Sequence, residues 1–304
     1  MMTNSIKIII NTFLFALFLM GDAARAIYST YALYEEVSPA LTIFAASLLS
    51  FLVTITVNLI SRKKTDKNTC TNNVLRLYFW LNVFTCISWV SGYLAIYYIV
   101  PAVMSSFAVS IGPILYLVFF KKTASIPEWC IAIGILAISA TFSGMNSVVI
   151  TLHSNNSYAL LFGILLSLLC GISIFINTSL SRKLSQAKES PVNINTFRSL
   201  LVLTGAFIVC VWQHEFDISF TQEYHLLIFS FWFVLIPQLA LQGCIKNLGT
   251  SITTIGIALS PLCSIFVQIV VFNIPISPPA IILLTLNVSL LIALMVKQKQ
   301  SLAS

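Results

Sequence analysis

Read from its amino terminus, the chain alternates long apolar stretches with short polar ones, and the apolar stretches have the length of a membrane crossing. A helix needs about 20 mainly apolar residues to span the hydrocarbon core of a bilayer. Ten stretches reach that length, at 6–28, 38–60, 75–98, 102–120, 126–145, 158–180, 192–213, 225–246, 250–272 and 278–296. The pattern predicts an all-α polytopic membrane protein with ten transmembrane helices.

Composition agrees with the pattern. Of 304 residues, 58% are hydrophobic and 8% charged, whereas an ordinary soluble domain carries roughly a quarter charged residues. Too few charges remain to cover the surface of a soluble fold this large. The net charge of +7 would suit a nucleic-acid surface until the charges are located. With both termini in the cytoplasm, fourteen of the sixteen Lys and Arg fall in cytoplasmic loops or at helix ends: Lys7, Arg62, Lys63, Lys64, Lys67, Arg76, Lys121, Lys122, Arg182, Lys183, Lys188, Lys246, Lys297 and Lys299. The opposite side receives Glu35, Glu36, Glu215, Asp217, Glu223 and the histidines His153, His214 and His225. Because positive residues set helix orientation, the charge is a topological signal. It predicts a multi-pass protein of the cell's inner (cytoplasmic) membrane, with the bilayer as partner and no nucleic acid.

The first stretch imitates a secretory signal, with Lys7, an apolar run from Ile8 to Met20, and Ala24-Arg25-Ala26 in place of a cleavage site. The run continues to Tyr28, so it is read as a retained first helix. Seven cysteines, Cys70, Cys86, Cys130, Cys170, Cys210, Cys244 and Cys263, lie far apart without a CxxC pair and are read as packing residues. Glu215, Asp217, Glu223, His214 and His225 lack the spacing of a metal site, and no metal or other cofactor is expected. Asn155-Asn156-Ser157 fits a glycosylation acceptor, which has meaning only in a eukaryotic secretory pathway.

The chain also repeats itself. Ser38-Pro39 opens helix two and Ser190-Pro191 opens helix seven, and eight residues past each serine Ala46-Ser47-Leu48-Leu49 parallels Arg198-Ser199-Leu200-Leu201. Ser105-Ser106 and Pro113 in helix four parallel Thr253-Thr254 and Pro261 in helix nine. The two offsets are 152 and 148. Since each half holds an odd number of helices, the second enters the membrane from the opposite side. The expected units are therefore two inverted five-helix repeats, residues 1–146 and 157–297, able to rock against each other around a shared site.

These stretches, above all the run from Ala95 to Pro113 and its counterpart ending in Ser260-Pro261, resemble the EamA-like branch of the drug/metabolite transporter superfamily. Arg198 falls where that family often has an arginine. The first-half position is Ala46, and the acidic residue that commonly closes the fourth helix of each repeat is replaced by Lys121-Lys122 and by the region of Asn273. The resemblance implies the ten-helix architecture and a metabolite substrate, with third helices lining a central cavity.

Charge inside a membrane is costly and marks candidate function. Asp22 and Arg25, three apart on helix one, share a face. They read either as an ion pair near the outer interface or as contacts to a substrate amine, coupling proton or carboxylate. Trp89, Tyr93 and Tyr97 form one stripe on helix three, as packing or as a cavity wall. Trp232, Pro237, Gln238 and Gln242 are the partner positions on helix eight, and its two amides, one turn apart, require hydrogen-bonding partners. Ser106 and Thr254 offer hydroxyls beside Pro113 and Pro261, whose missing N–H groups permit bending. Arg198 is read as a gate, packing or substrate residue.

The expected function is secondary transport of a small organic metabolite, an amino acid or related amphipathic compound, by alternating access through export or exchange. No GxxxxGK[ST] loop for ATP appears. If protons couple, Asp22 is nearly the only carboxylate within the helices, and Asp22→Asn should abolish pH-driven transport. The alternative is import or exchange of a nucleotide-like or cofactor-like metabolite. From a different class, an integral membrane enzyme acting on lipid would need a cytoplasmic cluster of acid and base groups that the sequence does not offer, so no enzyme activity is expected. Helix five or helix ten offers a seam for a homodimer.

Overall fold

The computed structural model describes residues 4–30, 37–61, 72–120, 125–145, 157–217, 219–272 and 277–301. Twelve helices follow in order: α1 (Asn4–Tyr28), α2 (Pro39–Ser61), α3 (Asn72–Tyr98), α4 (Pro101–Phe120), α5 (Ile126–Met145), α6 (Ser157–Gln186), α7 (Pro191–Arg198), α8 (Leu200–Gln213), α9 (Phe220–Ile228), α10 (Ile236–Ile257), α11 (Ser260–Phe272) and α12 (Pro278–Ser301). A π-helical stretch, Phe229–Leu235, joins α9 to α10. Among the described residues there is no strand.

Among the described residues, eight helical segments are long and apolar enough to cross a membrane. They make this, by length and composition, a multi-pass membrane protein. The expected ninth and tenth crossings coincide with shorter apolar helices at Ser260–Val270 and Pro278–Leu294. Leu52, Ile60, Phe79, Ile133, Leu165, Ile208 and Phe266 stand exposed around the bundle, as a lipid-facing surface requires.

Local chemistry explains several boundaries. Ser38 caps α2 by accepting from the Leu41 N–H at 3.1 Å. Ser190 caps α7 by accepting from the Asn193 N–H at 3.0 Å. In both helices a proline follows the cap, at a position whose N–H has no helical partner anyway. Pro101 opens α4 after the break at 99–100, because the residue before a proline is driven out of the helical region. Residues 247–253 contain no proline, and α10 runs unbroken through the turn expected between 246 and 250. The chain breaks instead at 258–259, ahead of Ser260-Pro261. Pro261, expected within helix nine, therefore lies in the first turn of α11, whereas Pro113 sits inside α4. Helix α1 passes through Ala24-Arg25-Ala26 without interruption.

The helices associate in a fixed set of pairs. α3 lies along α6, and α1 lies along α10; α2 packs against α7 and α8, α4 against α11, and α5 against α12. Two glycines permit the closest crossings. A Cβ at Gly171 of α6 would strike the Ala108 carbonyl oxygen of α4, and one at Gly21 of α1 would strike the Pro237 ring of α10. Hydroxyls and an amide cement α4, α5 and α12: Ser106 donates to Ser139 at 2.8 Å, Ser110 and Ser139 lie 2.7 Å apart, and Asn287 donates to Ser139 at 2.6 Å.

Candidate functional site

A cavity of about 150 Å3 lies inside the bundle, lined by residues of α1, α3, α4, α6, α7, α10, α11 and the π-helical stretch. At 10–15 Å3 per water-sized position that is room for about ten waters, the scale of a small organic molecule.

Asp22 and Arg25 line one part of it. Nε and a terminal nitrogen of Arg25 donate to the same Asp22 carboxylate oxygen at 3.1 and 2.9 Å. The guanidinium also stands 5.4 Å from the centroid of the Tyr93 ring. The two residues thus form an ion pair whose cation has an aromatic face beneath it.

Arg198 lines the cavity from α7. It is only 8% exposed, and it has no hydrogen-bond or ion-pair partner among the described residues. Its position comes from a break in the helix. The Asn82 side-chain amide of α3 donates to the Phe197 carbonyl at 2.6 Å and accepts from the Leu201 N–H at 3.2 Å. Those two backbone groups would otherwise bond each other in an α-helix. Asn82 therefore inserts into the ladder, ends α7 at Arg198 and starts α8 at Leu200, one of the few ways a helix acquires a sharp bend. Asn58 of α2 steadies the same turn by donating to Thr196 at 2.8 Å.

Between the charged groups lie amides and hydroxyls. Asn177 and Ser181 of α6 and Gln238 and Gln242 of α10 line the cavity. Gln242 donates to Ser181 at 3.4 Å, and Asn177 donates to Ser88 at 3.5 Å. The carbonyl oxygens of both amides are buried and unpartnered among the described residues. The π-helical stretch widens the chain just before Pro237, which withholds the N–H that the Phe233 carbonyl would take in an α-helix. Phe233, Val234 and Pro237 all reach the cavity.

Of the residues singled out in the sequence, Asp22, Arg25, Trp89, Arg198, Gln238 and Gln242 share this cavity. Tyr93 is buried beneath Arg25, and Tyr97 packs edge-on against Tyr98. Ser106 belongs to the α4–α5–α12 cement; its neighbour Ser105 lines the cavity. Trp232 is exposed on the outside of the bundle. The side chain of Thr254, Cys70, and Asn155 and Asn156 of the Asn155-Asn156-Ser157 motif lie outside the described residues. Pro113 and Pro261 do not reach the lining. Sequence reasoning passed over Asn82 and Asn177, although each is an amide within an apolar span, the same signal that marked Gln238 and Gln242.

No family model matches the chain, and no curated protein matches it. Among solved structures 28 chains match. One, described only as the crystal structure of a protein, superposes with a TM-score of 0.64 over 99% of this chain and 100% of its own, at 15% identity. The likeness is one of fold.

Proposed function

We propose that the chain is a secondary transporter that moves a small organic metabolite across the cytoplasmic membrane by alternating access of two inverted five-helix repeats, by export or exchange, with both termini cytoplasmic. The observation that carries this reading is the cavity itself. A chamber inside an apolar bundle that holds an ion pair, an unpaired arginine and several amides adds nothing to packing, and burying such groups opposes folding. A solute that fills the chamber and satisfies those groups accounts for it.

The packing supports the repeat. Let α1 exchange with α6, α2 with α7–α8, α3 with α10, α4 with α11 and α5 with α12. The pairs α2 with α7–α8, α4 with α11, and α5 with α12 then map onto themselves, while α3–α6 exchanges with α10–α1 and α4–α6 with α11–α1. A two-fold relation between halves requires that pattern. Gly21 and Gly171, 150 residues apart, each open a close crossing onto the other half. That spacing falls between the offsets of 148 and 152 read from the sequence motifs. The Ser-Pro caps of α2 and α7 recur at the larger of them.

The test is flux. Purified protein in proteoliposomes, offered labelled amino acids, nucleotides and cofactors from either side, is expected to give saturable uptake of one class, accelerated by unlabelled solute on the opposite side. Linear, non-saturable leak for every class would remove transport from consideration.

A further inference from the structure

The described cavity carries two arginines against one aspartate, and the aspartate is already engaged. Asp22 binds Arg25 through two donors. Arg198, more than nine-tenths buried, faces the same cavity with no partner among the described residues. A buried guanidinium without a counter-charge is strongly unfavourable in a low-dielectric interior, so something that enters the cavity must neutralise it. We propose that Arg198 is the anion-binding residue of this site and that the cavity takes a small organic monoanion whose carboxylate or phosphate sits on the Arg198 guanidinium.

The surroundings narrow the class. Helix α7 packs against α6 and α10, and Asn177, Ser181 and Gln242 on those two helices line the same cavity as Arg198. The unpartnered oxygens of Asn177 and Gln242 are acceptors only. They call for N–H or O–H donors on the same molecule. A ligand with one net negative charge, one oxyanion and at least two hydrogen-bond donors balances the charge and fills both acceptors. A purely cationic solute could donate to those acceptors but would add to the charge on Arg198, and Asp22 is already held by Arg25. The helix break adds a geometric reason: Asn82 fixes the turn on which Arg198 stands, and such a wedge would be superfluous if the side chain merely filled space. The inference rests on the transporter reading only in treating the cavity as a solute site.

The experiment is equilibrium binding to the full chain in detergent at neutral pH with matched probes: glycerate against glyceramide for the carboxylate, and the methyl phosphodiester of uridine, a monoanion, against uridine for the phosphate. The anionic member of one pair is expected to bind saturably, at least tenfold tighter than its neutral partner. Arg198→Gln should weaken that anion at least tenfold while the unliganded protein melts at the same temperature or higher. Gln242→Glu, which adds a carboxylate to the cavity, should also weaken it without removing the arginine. Whichever pair responds identifies the oxyanion.

Equal affinity for charged and neutral members overturns the proposal. So does an anion affinity unmoved by Arg198→Gln, saturable binding of neither anion, or an Arg198→Gln protein that no longer folds, since that result makes the arginine structural. Flux in proteoliposomes separates this inference from the transporter reading. Saturable flux of a neutral or cationic solute, untouched by Arg198→Gln, overturns the anion site and leaves transport standing. Arg198-dependent anion binding without flux of any solute does the reverse.

Discussion

Position 46 in α2 and position 198 in α7 each lie eight residues past the serine of a Ser-Pro helix start, yet they have opposite fates. Ala46 is fully buried in the main apolar cluster. Arg198 faces the cavity beside a helix break. The contrast extends to the backbone around them. In the first half α2, α3 and α4 are uninterrupted, and α4 carries Pro113 in its interior. In the second half the helix matching α2 is broken at Ser199 and the path then passes through the π-helical stretch at Phe229–Leu235, while the break at 258–259 answers the one at 99–100. Irregular backbone at membrane depth is tolerated where it is enclosed by protein or lines a cavity. Cavity-lining residues stand at both departures, Arg198 at the first and Phe233, Val234 and Pro237 at the second. The second half departs from the regular helices of the first at two places, and both bring residues to the cavity, which also receives Asp22 and Arg25 from α1.

The most severe way to break the comparison is to make the halves alike at those two positions. Ala46→Arg would bury a guanidinium in the main core, on a helix that contributes no residue to the cavity lining. The expected loss is at least about 3 kcal/mol, the scale of a charge at the centre of a membrane helix. Thermal denaturation in detergent should show it as aggregation or a large fall in Tm. A well-folded Ala46→Arg protein with unchanged Tm would mean that α2 has room for a charge that its packing denies.

A gentler comparison asks whether the halves close on each other in the same way. Gly21→Ala and Gly171→Ala each set a Cβ against a ring or a carbonyl oxygen that has nowhere to go. Each should cost about 2 kcal/mol by overpacking. Gly205 of α8 has nothing within 4 Å of its would-be Cβ. There the same change should raise stability by roughly 0.5–1 kcal/mol through helix propensity. Chemical denaturation of the three variants decides it. If Gly21→Ala is harmless while Gly171→Ala is damaging, the two crossings are not equivalent.

Asn82 tests the break itself. In Asn82→Leu the Phe197 carbonyl and the Leu201 N–H lose their side-chain bridge and are free to bond each other. Stability should change by only about 1 kcal/mol, because one pair of hydrogen bonds replaces another. The affinity of an anion for the Arg198 site should fall severalfold as α7 and α8 straighten and swing the guanidinium. Retained affinity would show that Arg198 is aimed without the wedge.

What the sequence made legible follows from how local each signal is. Apolar length located the long helices, and the Ser-Pro pairs located α2 and α7 because a cap and the following proline act within one turn. The amides of Gln238 and Gln242 and the charges of Asp22, Arg25 and Arg198 stood out against apolar surroundings, and all five line the cavity. The break at Ser199 left no local trace, because its cause is an asparagine on another helix. The continuity of α10 was misread for the opposite reason: a polar interval resembles a turn, but without proline the backbone keeps its hydrogen bonds. Ser105 and Ser106 differ by about 100° around α4, and the choice of which faces the cavity and which binds Ser139 is made by the neighbours of that helix.

The smallest expected effect on stability belongs to the ion pair. The Arg25 and Asp22 side chains remain 23% and 33% exposed, so their attraction is screened and worth well under about 1 kcal/mol. Asp22→Asn keeps an oxygen that Arg25 can still donate to, and Tm should move by less than about 4 °C. The effect on binding runs the other way. On α3, Tyr93 marks the level of Arg25 and Asn82 the level of Arg198; the eleven residues between them correspond to about 16 Å of helix. Removing a negative charge at that distance changes the energy of an anion on Arg198 by about 1 kcal/mol at an effective dielectric constant near 20. An anionic ligand should therefore bind roughly fivefold tighter to Asp22→Asn than to the parent protein. Titration calorimetry at constant ionic strength measures it, and weaker anion binding in this variant would place the ligand's own positive end on Asp22, making the matched halves of the cavity bind opposite ends of one zwitterion.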